Sequence, residues 1–109
     1  MTEEEATALG KRLAACRHFR PMPGLKDMQG RTWDDSLLWR WNREVDVPDL
    51  RQPATMGILL ALVREAWGQA TLAPVSCGRR LWCLADFGTT ALQGESEAEL
   101  LVAALEAAP

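Results

Sequence analysis

The chain has 109 residues, a formal net charge of −3, 48% hydrophobic residues and 25% charged residues. That describes one domain with enough apolar material for a core, and its acidic balance excludes a generic binder of the nucleic-acid backbone. The acidic start Met1-Thr2-Glu3-Glu4-Glu5 is unlike a signal peptide, and the longest apolar run, Ile58 to Val63, falls short of the roughly 18 residues a membrane span needs.

The first element is a helix over residues 3–16. Thr2 and Glu5 have capping-box spacing, and Glu3 to Glu5 suit the positive end of the helix dipole. Ala6, Leu9, Leu13 and Cys16 recur on one side, with Lys11 and Arg12 turned outward. Residues 18–48 are irregular, broken by Pro21, Pro23 and Gly24. Within them Leu25 to Met28 and Arg31 to Trp33 read as two short strands around Gln29-Gly30. Leu37, Trp39 and Trp41 alternate with Leu38, Arg40 and Asn42, a period of two that predicts a strand with a tryptophan face. Val45, Val47 and Pro48 lead on as an extended segment.

A second helix follows. Pro53 fits the first helical position, where a missing N–H costs nothing, and Gly68 fits the position just past the end. Met56, Leu59, Leu60, Val63 and Trp67 form one stripe, while Ile58, Leu62 and Ala66 add another apolar side. A helix this apolar is expected at the middle of the domain, covered by the other elements, with another backbone against Gly57. Thr71 to Val75, interrupted by Pro74, reads as a weak edge strand, and Ser76-Cys77-Gly78 as a turn. Arg80 to Phe87 is the best strand, with Leu81, Cys83, Ala85 and Phe87 assigned inward. Thr89 to Leu92 is its expected hairpin partner, ended by Gly94. Ser96 and Glu99 form another capping box, opening a last helix with Leu100, Leu101, Ala104, Leu105 and Ala108 inward. The fold class predicted is α+β over residues 1–109: a single domain in which an antiparallel sheet, made of a three-strand meander plus short N-terminal strands, packs with three helices.

Two segments carry a resemblance. Pro48-Asp49-Leu50 through Pro53-Ala54-Thr55 to Ala66-Trp67-Gly68, and Gly94-Glu95-Ser96-Glu97-Ala98-Glu99 into Leu101 to Ala108, resemble the small phage and prophage proteins called phage ABA sandwich domains. The opening helix and Met22-Pro23-Gly24-Leu25 look similar too. The resemblance implies an α–β–α layering and a phage or prophage origin, hence the cytoplasm of a bacterial host cell. It carries no catalytic residue across.

Candidate chemistry is sparse. Cys16, His18, Cys77 and Cys83 are atom types that suit zinc, but their spacing matches no knuckle or ribbon, so no metal is expected. The odd cysteine count instead suits reduced thiols. His18 is the one histidine, Ser36 and Ser76 lack a nucleophile-elbow context, and Asp34-Asp35 reads as an acidic turn. No glycine cluster precedes a helix, so a phosphate loop is excluded. The arginines and tryptophans are the remaining signal: Trp33, Trp39, Arg40, Trp41 and Arg43, then Arg79, Arg80 and Trp82. Tryptophan stacks on bases, arginine forks onto phosphate, and both are enriched in interface hot spots. The plain alternative is that a tryptophan completes the core while Arg40 snorkels at its rim.

The resulting expectation is a non-enzymatic binding protein without cofactor, of phage type and acting in counter-defence. It either blocks a host defence protein or sequesters a host nucleotide signal as a homo-oligomeric sponge, and contacts neither membrane nor long nucleic acid. Trp39, Trp41 and Arg43 are the expected anchors, with Arg79 and Arg80 as phosphate donors. An enzyme acting on a nucleotide through His18 or Asp34 and Asp35 remains open, as does a structural phage component.

Overall fold

Helix α1 covers Glu3–Ala15, and Thr2 caps it by accepting the Glu5 N–H on Oγ1 at 3.1 Å. The side chain thereby satisfies a backbone donor that has no partner inside the helix. Ala6, Gly10, Leu13 and Ala14 are buried, whereas Lys11 and Arg12 face out as predicted. These features come from a computed structural model that describes residues 1–85 and 93–109. Among the described residues, three α-helices and a three-strand antiparallel sheet form a single α+β domain.

Helix α2, Pro53–Trp67, begins with its proline in the first turn and ends at Gly68 in the left-handed conformation, φ 64°. Both signals act as the sequence requires. The helix is less enclosed than its composition predicts. Thr55, Leu59, Leu62 and Val63 are buried, but Ile58 and Leu60 are half-buried and Ala61 is exposed. Gly57 is exposed and no atom would lie within 4 Å of a Cβ there, so the close backbone approach expected at this glycine is absent.

The sheet is a meander of β1 Ala73–Gly78, β2 Leu81–Ala85 and β3 Gln93–Gly94 in the order β1-β2-β3. Val75 pairs with Cys83, Ser76 with Trp82 and Gly78 with Leu81, leaving Cys77 as the extra residue of a bulge. Two details of the sequence reading are corrected. The expected turn at Ser76-Cys77-Gly78 is strand, and the chain reverses at Arg79-Arg80 instead, with Arg80 at φ 53°. The core-facing residues of β2 are Trp82 and Leu84, which join the main apolar cluster; Cys83 is buried outside that cluster. Alternation along the strand puts Cys83 on the opposite face. Asp86, Phe87 and the expected hairpin partner Thr89 to Leu92 lie outside the described residues.

Helix α3, Glu97–Glu106, is capped by Ser96, whose Oγ accepts the Glu99 N–H at 3.1 Å. Ala98, Leu100, Leu101, Val102, Ala104 and Leu105 are all buried. This helix packs against α1, α2 and all three strands. The middle of the domain is therefore α3, not α2. Among the described residues, α1 and α2 each pack on α3 and make little contact with the sheet. The packing is close enough to require Gly94: a Cβ there would sit 2.7 Å from the Leu100 nitrogen.

Candidate functional site

The long connection between α1 and α2 is ordered by buried carboxylates. Leu25 to Trp33 folds back on itself, with the Trp33 N–H donating to Leu25 O at 2.8 Å and a single bridge between Lys26 and Thr32. These are the two short strands predicted around Gln29-Gly30, reduced to one pairing. A further bridge, Asp27 to Pro48, ties the hairpin to the segment entering α2. Thr55 on α2 completes the tie, accepting the Lys26 N–H at 3.1 Å and donating to Lys26 O at 2.8 Å.

Asp27 sits at the centre and is 2% exposed. It accepts four hydrogen bonds: from the Gln29 and Arg31 N–H groups at 2.9 Å, from Arg31 Nε at 2.8 Å and from Trp33 Nε1 at 2.8 Å. Burial pushes its pKa upward, but the donors together outweigh burial and hold the carboxyl below its ordinary value. Arg31 spans from Asp27 to Asp46, which it meets at 2.9 Å, and its guanidinium carbon lies 5.3 Å from the centre of the Trp33 ring. Asp46 in turn accepts the Asn42 N–H at 2.8 Å. Asp49, lowered in the same way, holds Arg51 through both carboxylate oxygens.

Above this base the chain from Asp34 to Asn42 is not the predicted strand. It is a turn leading into a short 3₁₀ helix, Leu38–Arg40. Asp34 accounts for the difference. Its side chain accepts the Ser36 N–H at 2.9 Å, and its carbonyl accepts the Leu37 and Leu38 N–H groups at 3.0 Å. Local side-chain hydrogen bonding of this kind competes successfully with a strand ladder.

The turn separates the two tryptophans that a strand would have placed on one face. Trp41 is half-buried, packed edge-on to Trp33 with ring centres 5.0 Å apart and tilted against Phe19 at 5.8 Å. It extends the core. Trp39 points the other way and is 81% exposed, with its indole N–H donating to Ser36 O at 2.8 Å. Arg40 and Arg43, close to it in the chain, are exposed, and no ion pair or hydrogen bond of either side chain occurs among the described residues. A cavity of about 270 Å³ lies at the foot of this segment, lined by Arg31, Trp33, Leu37, Arg40, Asn42, Val45 and Asp46. Comparison with protein families, characterised proteins and solved structures returned no match.

The other sequence-predicted residues are elsewhere. Arg79 and Arg80 form the β1–β2 turn, and Arg80 shares a polar cavity with Glu5, Glu95, Ser96 and Glu99, at the start of α1 and of α3. Three carboxylates there oppose a phosphate. His18 is half-buried, its Nε2 donating to Ala108 O at 3.1 Å, with Arg17 donating to the same oxygen at 3.2 Å. Both side chains thus serve the carbonyl end of α3. His18 shares its cavity with Arg20, Leu62, Glu65 and Ala66, not with Asp34 or Asp35. Asp27, Asp46 and Asp49 escaped the sequence reading. For Asp27 and Asp49 the signal was the Asp-x-[polar] spacing of Asp27–Gln29 and Asp49–Arg51, shared by Asp34–Ser36, each an Asx turn in the structure; Asp46 carries no such signal.

Proposed function

We propose that the protein acts by binding, and that the segment from Leu37 to Val45 docks on an acidic surface of a protein partner. The observation that carries this reading is Trp39. A tryptophan 81% exposed, fixed by its own indole hydrogen bond and flanked by two unpaired arginines, is a preorganised anchor. Trp and Arg dominate interface hot spots, and an already fixed side chain loses little entropy on binding. Val45, 63% exposed, is a second exposed apolar side chain of this segment. With the phage-type resemblance of the sequence, the partner is a host defence protein and the action is to block it.

Sequestration of a nucleotide is less well supported by the same geometry. The cavity of about 270 Å³ is smaller than the roughly 300–1,000 Å³ of most small-molecule sites. Asp46 lines it, and Arg31 is already held by Asp27 and Asp46. Arg79 and Arg80 are not part of it.

The test uses immobilised protein and bacterial cell extract, with wild type, Trp39→Ala, Arg40→Glu/Arg43→Glu and Arg79→Ala/Arg80→Ala compared. The expected result is one species captured by wild type and by the Arg79/Arg80 variant, lost with the other two, and bound again after purification. Undiminished capture by Trp39→Ala overturns the reading. A parallel incubation with cyclic and linear nucleotides, followed by heating, reports the sponge alternative: intact nucleotide released from wild type would replace protein blocking as the function.

A further inference from the structure

The odd cysteine count resolves in the structure into one core residue and one pair. Cys16 is buried in the main apolar cluster with Leu13, Phe19 and Leu25. Cys77 and Cys83 are on adjacent strands of the sheet, both as free thiols, Cys77 exposed and Cys83 buried.

Strand register explains how they meet. Val75 lies directly opposite Cys83, so in a regular ladder Cys77 would be the diagonal neighbour. Diagonal neighbours are roughly 7–8 Å apart, beyond the usual reach of a disulfide. The bulge changes this. The register shifts between Ser76 and Gly78, so that Cys77 is inserted between two paired positions and its side chain is re-aimed. The Cys77 thiol turns back along its own strand to the carbonyl of Val75, 3.6 Å away, which is the residue facing Cys83. The neighbouring Cys77 thiol, with burial second, raises the Cys83 pKa. The two sulfurs therefore differ in access. Cys77 meets solvent, whereas Cys83 is buried.

We propose that Cys77 and Cys83 are a redox modification site, closing to a β1–β2 disulfide on contact with a peroxide. The Cys77 thiolate attacks one peroxide oxygen and breaks the O–O bond, giving a sulfenic acid on Cys77 and a hydroxide, which takes up the proton the thiol released and leaves as one water. The Cys83 sulfur then attacks the Cys77 sulfur and forms the S–S bond; the departing hydroxide takes the Cys83 proton and leaves as the second water. Two thiols lose two electrons and two protons, and hydrogen peroxide is reduced to two waters. A small thiol reverses the step by exchange. The site is independent of the Trp39 face, and its consequence is local. Closure locks the end of the hairpin that carries Arg79 and Arg80.

The experiment treats the folded, reduced wild-type chain with hydrogen peroxide, then counts free thiols and maps disulfide-linked peptides. The expected result is loss of two thiols of three, a link joining Cys77 to Cys83 within one chain, Cys16 still free, and full return of all thiols with dithiothreitol. Cys83→Ser leaves Cys77 without a resolving thiol, so it is expected to stop at sulfenic acid, trapped by dimedone, or to link two chains. Cys77→Ser is expected to slow oxidation of Cys83 at least tenfold. The wild-type map alone suffices if either variant fails to fold. A link involving Cys16, cross-linked dimers of wild type, or Cys77 oxidised with Cys83 still free would each overturn the proposal.

Discussion

The indole N–H of Trp33 donates to the carboxylate of Asp27 at 2.8 Å, both residues lying within the fold at 5% and 2% exposure. This bond joins the polar base of the α1–α2 connection to its aromatic layer, since Trp33 also packs against Trp41. A connection of more than thirty residues with little regular structure is held by that junction, and the candidate binding face stands on it.

Replacing Asp27 by Asn is expected to destabilise the fold by about 3 kcal/mol, because Arg31 and the surrounding donors lose a buried partner charge. The carboxyl of Asp27 is held below its ordinary value in the folded state. The unfolded chain therefore binds the proton first, and the contribution of Asp27 is present above the ordinary carboxylate pKa of about 3.9 and lost as pH falls through the lower folded value. Denaturant unfolding between neutral and acidic pH should show wild-type stability falling with acid more steeply than that of Asp27→Asn. Parallel curves would contradict the assignment.

Trp39→Ala and Trp41→Ala should separate cleanly. The exposed Trp39 is expected to change stability by no more than about 0.5 kcal/mol, and the packed Trp41 to cost about 3 kcal/mol. Thermal melts of the two variants check this. Equal losses would mean that Trp39 is not the free face described above.

Three glycines should respond in opposite directions. A Cβ at Gly10 would collide with the Pro48 carbonyl oxygen and lie 2.6 Å from Val47 Cγ1, and one at Gly94 would meet the Leu100 backbone. Gly10→Ala and Gly94→Ala are each expected to cost about 2 kcal/mol or more through overpacking. Gly57 is exposed in the interior of α2 with open space around it, so Gly57→Ala should stabilise by up to about 1 kcal/mol through helix propensity. Urea midpoints of the three variants are the measurement.

Arg80 adopts φ 53° in a two-residue reversal, a conformation that costs a side-chain-bearing residue roughly 1 kcal/mol. Arg80→Gly should therefore raise stability by about that amount, while Arg79→Ala leaves it unchanged. A loss of stability in Arg80→Gly would contradict the backbone strain assigned to this turn.

Local signals were legible in the sequence and act as written. Thr2 and Ser96 cap their helices, Pro53 opens α2, Gly68 closes it, and the apolar spacing of α3 matches its buried face. These depend on neighbours within a few residues, so the sequence alone determines them, along with the α+β class. The alternation of Leu37, Trp39 and Trp41 misled because a period of two says nothing of the Asp34 side chain, which claimed the backbone first. Tertiary structure decided the rest. Which apolar helix is central depends on what surrounds it: α2 is the more conspicuous in sequence, yet among the described residues it is α3 that packs against all three strands and both other helices. Likewise Trp39 and Trp41 are the same residue type two positions apart, and only the packing of Phe19 and Trp33 around one of them makes it core and leaves the other for a partner.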